Sequence, residues 1–243
     1  MNKIVLANTK QAVECINNSI IALAQQCITE TGRFTIALSG GNTPKLLYQH
    51  LILDSRFKSL DFSKIHIYFS DERYVSHDDD RSNYGLAVNY LLNSIKIPEA
   101  NIFPVDTSLT TVVESASIYQ KIIQDNIDSN TENIPMFDLI LLGMGTDGHT
   151  ASLFPGSELL NKNDILVGCC FHQESKTDRV SFTFPLINAA KNVFIIALGS
   201  EKFKIINDIQ KLEKNNTLKY PIQNVKPQGK LTWYIDKAAE QGG

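Results

Sequence analysis

The sequence predicts an α/β fold with a mostly parallel sheet, and three observations carry that expectation. First, several short runs are apolar almost without interruption: residues 34–38, 65–69, 137–142 (broken only by Asp138) and 192–198. A strand buried on both faces reads this way, whereas a strand with one wet face alternates. Second, segments with apolar residues at helical spacing stand between these runs. Third, three of the runs end in glycine loops bearing hydroxyl or charged residues, at 39–41, 143–149 and 199–202. In an open α/β sheet, ligands bind outside the carboxyl ends of the strands.

Taken in order, residues 9–30 put Val13, Ile16, Ile20, Leu23, Ala24 and Cys27 on one helical face, and Gly32 ends that helix. After the strand at 34–38, Ser39-Gly40-Gly41-Asn42-Thr43-Pro44 opens a helix carrying Leu46, Leu47 and Leu51. Pro44 suits its first position, and Asn42 or Thr43 its cap. The strand at 65–69 ends in Ser70-Asp71-Glu72-Arg73-Tyr74, read as a charged rim loop. Ser82 caps a helix through Leu92, Pro98 marks a turn before an extended run at 101–105, and 110–127 is amphipathic. A polar linker at 130–135 enters the central strand. Strands are expected at 165–170 and 180–184, then a short helix from Pro185, the strand at 192–198 and a helix with Phe203, Ile206 and Ile209. Pro221 and Pro227 bracket an irregular segment; 231–235 is the last strand, and Asp236 caps a final short helix. His50 and His66 read as structural, and His172 as exposed in a charged loop.

The chain has 243 residues, without an internal repeat or a visible boundary, so a single domain over 1–243 is expected. A net charge of −3 gives no reason to expect nucleic acid. No apolar run is long enough to span a bilayer, and residues 1–14 lack a signal-peptide core. Cys15, Cys27, Cys169 and Cys170 show neither C-x-x-C spacing nor zinc-ligand partners. Buried thiols in a reducing cytoplasm are therefore expected, with no metal.

Within the stretch 141–156, LLGMGTDGHTASLFPG, glycines at 143, 145 and 148 let the backbone approach a ligand closely. Asp147 and His149 lie among them, His149 being lifted out of the core to meet a substrate. The glycines also match the dinucleotide fingerprint G-x-G-x-x-G, but Pro155 halts any helix begun at His149, and Asp164 precedes its strand rather than ending it. Ser39, Gly40 and Gly41, before a helix start and with no carboxylate up to Pro44, suit an anion, although the P-loop pattern is absent. Arg73 suits phosphate through its planar fork, or pairs with Asp71 or Glu72 on the surface. Lys202 opposes the dipole of the helix that follows it, which hints at a ligand rather than stability.

Five segments resemble the 6-phosphogluconolactonases: LSGGNTP (38–44), SDERYV (70–75), GMGTDGHTASLFPG (143–156), RVSFTFPLINAA (179–190) and LGSEKF (198–203). The resemblance implies a Rossmann-like parallel sheet with helices on both faces and no cofactor. It implies that His149 is the catalytic base, that Arg73 and Lys202 contact the substrate phosphate, and that Ser39, Gly40 and Gly41 form the family's SGG loop. The partner implied is a phosphorylated sugar lactone, handled by a monomer or small homo-oligomer. Asp147 is expected to orient the turn or the imidazole, N–H groups of the 143–148 turn to steady an oxyanion, and Arg179 to add positive potential. The alternative on the same fold is a glucosamine-6-phosphate deaminase. Its DGHIAFNEPG motif carries an acid where this chain has Leu153-Phe154, and its DEY tyrosine is Arg73 here. No G-x-S-x-G nucleophile elbow occurs, consistent with direct attack by water.

Overall fold

The computed structural model describes residues 2–242. Strand β1 (Lys3–Leu6) is followed by helix α1 (Thr9–Thr31), capped by the Asn8 side chain and ended by Gly32. Then come β2 (Phe34–Leu38), α2 (Asn42–Leu51), the single turn α3 (Ser55–Lys58), β3 (Ile65–Phe69), β4 (Asp71–Arg73) and α4 (Asn83–Tyr90). Helix α5 (Val112–Asn126) precedes β5 (Leu139–Gly143), and β6 (Val167–His172) and β7 (Thr177–Phe182) form a hairpin. The chain closes with α6 (Phe184–Ala189), β8 (Asn192–Ala197), α7 (Phe203–Lys214), β9 (Lys230–Asp236) and α8 (Lys237–Gln241).

Six strands form one sheet in the order β1-β9-β8-β5-β2-β3, with every pairing parallel. The apolar runs are explained by what covers them. Along β5, Leu139 and Leu141 join a core with α1 and α2, whereas Ile140 and Leu142 join one with α5, α6 and α7. Along β8, Phe194 and Ile196 face the first core, and Val193, Ile195 and Ala197 the second. With helices on both faces, the period-2 alternation separates two apolar layers instead of oil from water. From β2 the chain goes to β3 on one side and then returns to place β5 on the other. This reversal of order between β2 and β5 opens a crevice at their carboxyl ends.

A smaller antiparallel sheet, β4-β7-β6, lies apart from the main one. It corrects the reading of 70–74 as a loop: Asp71–Arg73 pairs with β7, with Asp71 opposite Ser181 and Arg73 opposite Arg179. Strand β7 spans 177–182 rather than 180–184, and β6 spans 167–172 rather than 165–170, because hairpin pairing sets their ends. Strand β1 was not expected; it is short, mostly exposed and held at the sheet edge by β9, so it carries no run of buried residues. The segment 101–105 contributes a single bridge, Ile102 to Ile67. No helix of the described residues is long and apolar enough to cross a membrane, and the four cysteines are free thiols of intermediate exposure.

Candidate active site

The turn after β5 is knotted by its own backbone. Gly145 N–H donates to the His149 carbonyl (2.9 Å), Gly148 N–H to the Gly145 carbonyl (3.1 Å), and Thr150 Oγ1 to the Gly143 carbonyl (2.9 Å). These bonds consume the N–H groups of Gly145 and Gly148, so those two expected oxyanion donors are not free. A Cβ at Gly145 would fall 2.2 Å from His149 Nδ1 and 2.4 Å from Asp147 Oδ1, so imidazole and carboxylate both lie over its bare Cα. Asp147 Oδ1 accepts from the His149 backbone N–H (3.1 Å) and lies 2.6 Å from Nδ1. Burial pushes the Asp147 carboxyl up, but the His149 N–H, charge and ring together hold it below the ordinary range. An ionised carboxylate only accepts, so Nδ1 carries the proton and Nε2 is left as the free nitrogen. The His149 ring also packs on Phe154 (centroids 4.7 Å apart), which stacks on His172 (4.2 Å). His172 is thus partly covered, not loose in its loop, and burial with the nearby Arg179 charge lowers its pKa.

At the other strand ends the groups are cationic or hydrogen-bond donors. Gly41 takes φ 101°, a conformation that favours glycine, and α2 begins at once at Asn42. No side chain of the described residues caps this helix. The expected Asn42 or Thr43 cap is absent because the helix starts before Pro44, which leaves its first N–H groups toward the loop. On β4, period-2 alternation places Asp71 and Arg73 on one face and Glu72 on the other. Glu72, 1% exposed, accepts from the N–H groups of Arg73, Asn83 and Tyr84 and from Ser82 Oγ, so it caps α4. Burial raises its pKa against those hydrogen bonds. Arg73 Nη1 donates to the Arg81 carbonyl (2.5 Å), its buried Nε has no partner, and it forms no ion pair among the described residues. The alternative of a surface arginine paired with Asp71 or Glu72 is therefore not what folds. Lys202 ends a 3-10 turn (Ser200–Lys202) immediately before α7, its Nζ 3.9 Å from Glu201. That turn is anchored by Asp236, whose Oδ1 accepts the N–H groups of Gly199 (3.0 Å) and Ala239 (2.9 Å).

These elements meet in one cleft of about 320 Å³, lined by Ser39, Gly40, Gly41, Arg73, His149 and Lys202. The volume is that of a small-ligand site. Asp147 does not line it; behind His149, it borders a neighbouring groove with Phe154 and His172. Arg179 does not line it either. It is 7% exposed, sits opposite Arg73 and donates to Ser175 Oγ (2.9 Å), with its pKa lowered by burial and by the Arg73 charge. Asp71, Asn83 and Glu201, none of them singled out from the sequence as a site residue, also line the cleft. Asp71 looked like a partner for Arg73, and Asn83 is hidden behind the cap signal of Ser82.

A family model described as glucosamine-6-phosphate isomerases/6-phosphogluconolactonase matches residues 7–233. A Synechocystis protein named 6-phosphogluconolactonase is 38% identical over 230 residues, 95% of this chain and 91% of its own. One from Nostoc, with the same name, is 38% identical over 220 residues, 90% of this chain and 89% of its own. The crystal structure of a 6-phosphogluconolactonase from Thermotoga maritima superposes with a TM-score of 0.83 at 30% identity, covering 97% of this chain and 99% of that one. With likeness of this extent in both sequence and fold, the chain belongs to the glucosamine-6-phosphate isomerase/6-phosphogluconolactonase family.

Proposed function

We propose that this protein hydrolyses 6-phospho-D-glucono-1,5-lactone to 6-phospho-D-gluconate, with His149 as the base that activates water. One observation carries the reading: an anion-binding end and a histidine with a defined free nitrogen share a single cleft. The start of α2, Arg73 and Lys202 supply the donors and charge that a phosphate needs. Arg179, the cross-strand neighbour of Arg73, reinforces the field from beside it. Like charges directly opposite in an antiparallel pair are unfavourable, and a bound dianion would relieve them.

In this mechanism Nε2 of His149 takes a proton from water as its oxygen attacks C1. The tetrahedral intermediate then collapses, the bond from C1 to the ring oxygen breaks, and His149 returns the proton to that oxygen. Asp147 holds Nδ1–H, keeps the tautomer and offsets the charge on the transient imidazolium. A lactone is already an activated ester, so no covalent nucleophile is required. The other activity in the family's description is less well served. The position of the deaminase acid is taken by Leu153, fully buried, and Phe154, which packs on His149.

The test is lactone hydrolysis at mildly acidic pH, where the spontaneous reaction is slow, with ammonia release from glucosamine 6-phosphate assayed in parallel. The protein is expected to accelerate the first and not the second. In folded His149→Ala, kcat should fall by about two to four orders of magnitude, the usual worth of a general base. Near-wild-type turnover in that variant would remove His149 from the mechanism.

A further inference from the structure

Besides Glu201, which lies beside Lys202 (3.9 Å), one further charged group lining the cleft has no part in the mechanism above. Asp71 is 8% exposed, lines the cleft and forms no ion pair among the described residues. Its carboxylate is held by two neutral donors: Ser152 Oγ reaches Oδ2 (2.8 Å) and Asn83 Nδ2 reaches Oδ1 (3.3 Å). Asn83 is itself locked. It is 2% exposed, its Nδ2 also donates to the Asp71 carbonyl (2.8 Å), and its Oδ1 lies over Gly40, where a Cβ would fall 1.6 Å away. The amide therefore faces Asp71 with its donor side. Ser152 is fixed in turn, its N–H donating to Ser181 Oγ (3.1 Å).

A buried carboxylate accepts up to four hydrogen bonds, and here protein donors fill two. Leaving the remaining acceptor capacity unfilled in a cleft is costly unless a ligand or solvent fills it. The ligand group cannot be the phosphate, since two anions repel. It is not the attacked carbonyl, which becomes an oxyanion. A sugar hydroxyl is the complementary partner: a neutral donor, for which a carboxylate is the strongest acceptor a protein offers.

We infer that Asp71, oriented by Asn83 and Ser152, accepts a hydrogen bond from a ring hydroxyl of the substrate and sets selectivity for hydroxylated sugar lactones. This rests on the lactonase reading above and adds the residue that recognises the neutral part of the substrate. Asp71 touches substrate, whereas Asn83 and Ser152 act through it as positioning residues.

The experiment crosses enzyme variants with substrate variants. The wild type, Asp71→Asn, Asp71→Ala and Ser152→Ala are assayed on 6-phosphogluconolactone and on its 2-deoxy, 3-deoxy and 4-deoxy analogues. For the wild type, one analogue should lose about ten- to a hundredfold in kcat/KM, the worth of a hydrogen bond to a charged acceptor. In Asp71→Ala that same analogue and the parent should be hydrolysed with nearly equal kcat/KM, because the hydroxyl no longer has its partner, and in Asp71→Asn, whose amide oxygen is a weaker, uncharged acceptor, the gap should narrow several-fold. Ser152→Ala, which removes a tether but keeps the carboxylate, should retain most of the preference. A purely structural role for Asp71 would depress all four substrates equally, and that result overturns the inference. If Asp71→Ala does not fold, Asp71→Asn, of the same volume, decides. Failure of the wild type to hydrolyse the parent lactone would instead sink the lactonase reading, so the two failures are distinguishable.

Discussion

Asp147 and His149 are two positions apart in sequence, yet the contact between them decides what the histidine can do. The carboxylate occupies Nδ1 and leaves Nε2 free. Its depressed pKa gives a pH signature with a definite sign. The folded state favours the ionised form, so the contribution to stability is complete above the ordinary aspartate pKa of about 4 and is lost as pH falls through the lower folded value. Below about pH 4 the stability difference between wild type and Asp147→Asn should accordingly shrink. Urea unfolding on either side of that pH measures this, and a difference that kept growing below about pH 4 would contradict the assignment. At the opposite end of the cleft, Arg73→Ala and Lys202→Ala should each weaken substrate binding by about 1.5–3 kcal/mol, the range for hydrogen bonds to charged groups. With unphosphorylated gluconolactone the penalty should largely vanish. Equal losses on both lactones would mean that these residues do something other than bind phosphate.

At the scale of elements, the strand-to-turn junction after β5 is the sensitive one. Gly145 is needed there because the imidazole and the Asp147 carboxylate occupy the space of its missing side chain. Gly145→Ala should push His149 out of line, lowering kcat at least tenfold with little change in KM, since a base misplaced by about an ångström loses much of its effect. The measurement is steady-state kinetics on the lactone; unchanged kcat would show that His149 need not sit where the structure holds it. The start of α2 follows a related logic. Gly41 turns the chain so abruptly that the helix begins without a side-chain cap, which costs stability but leaves its N-terminal donors toward the cleft.

For the molecule as a whole, the two edges of the main sheet do different work. The carboxyl edge, at the crossover between β2 and β5, carries the cleft. Near the amino ends of the same two strands, Asp138 is buried and accepts from the Thr35 N–H (2.8 Å), Thr35 Oγ1 (2.9 Å) and Lys191 Nζ (2.8 Å). The pairing of β2 with β5 is short, two residue pairs, so this carboxylate takes over where the ladder stops. Asp138→Ala should destabilise the fold by about 2–4 kcal/mol by leaving buried donors unpaired. Turnover of the folded fraction should stay near wild type, because the change lies at the edge away from the chemistry. Denaturant unfolding together with kinetics checks both halves, and a large loss of kcat without a loss of stability would refute the division.

By itself, the sequence determined the parallel sheet and most of its cleft. Strands buried on both faces must be apolar throughout, so 34–38, 65–69, 137–142 and 192–198 declare themselves. Because parallel strands share one carboxyl edge, the loops at Ser39-Gly40-Gly41, His149 and Lys202 had to face the same side. The tertiary structure alone decided the rest. A three-residue strand such as β4 has no readable period, so whether Asp71 faces the cleft or the surface depends on its pairing with β7, more than 100 positions later. The same pairing brings Arg73 opposite Arg179, although Arg179 does not line the cleft. Asn83 reaches the site only because Glu72, turned inward by that strand, anchors the start of α4 beside it. Such contacts join short segments distant in the chain, and no local pattern of residue types encodes which of them will meet.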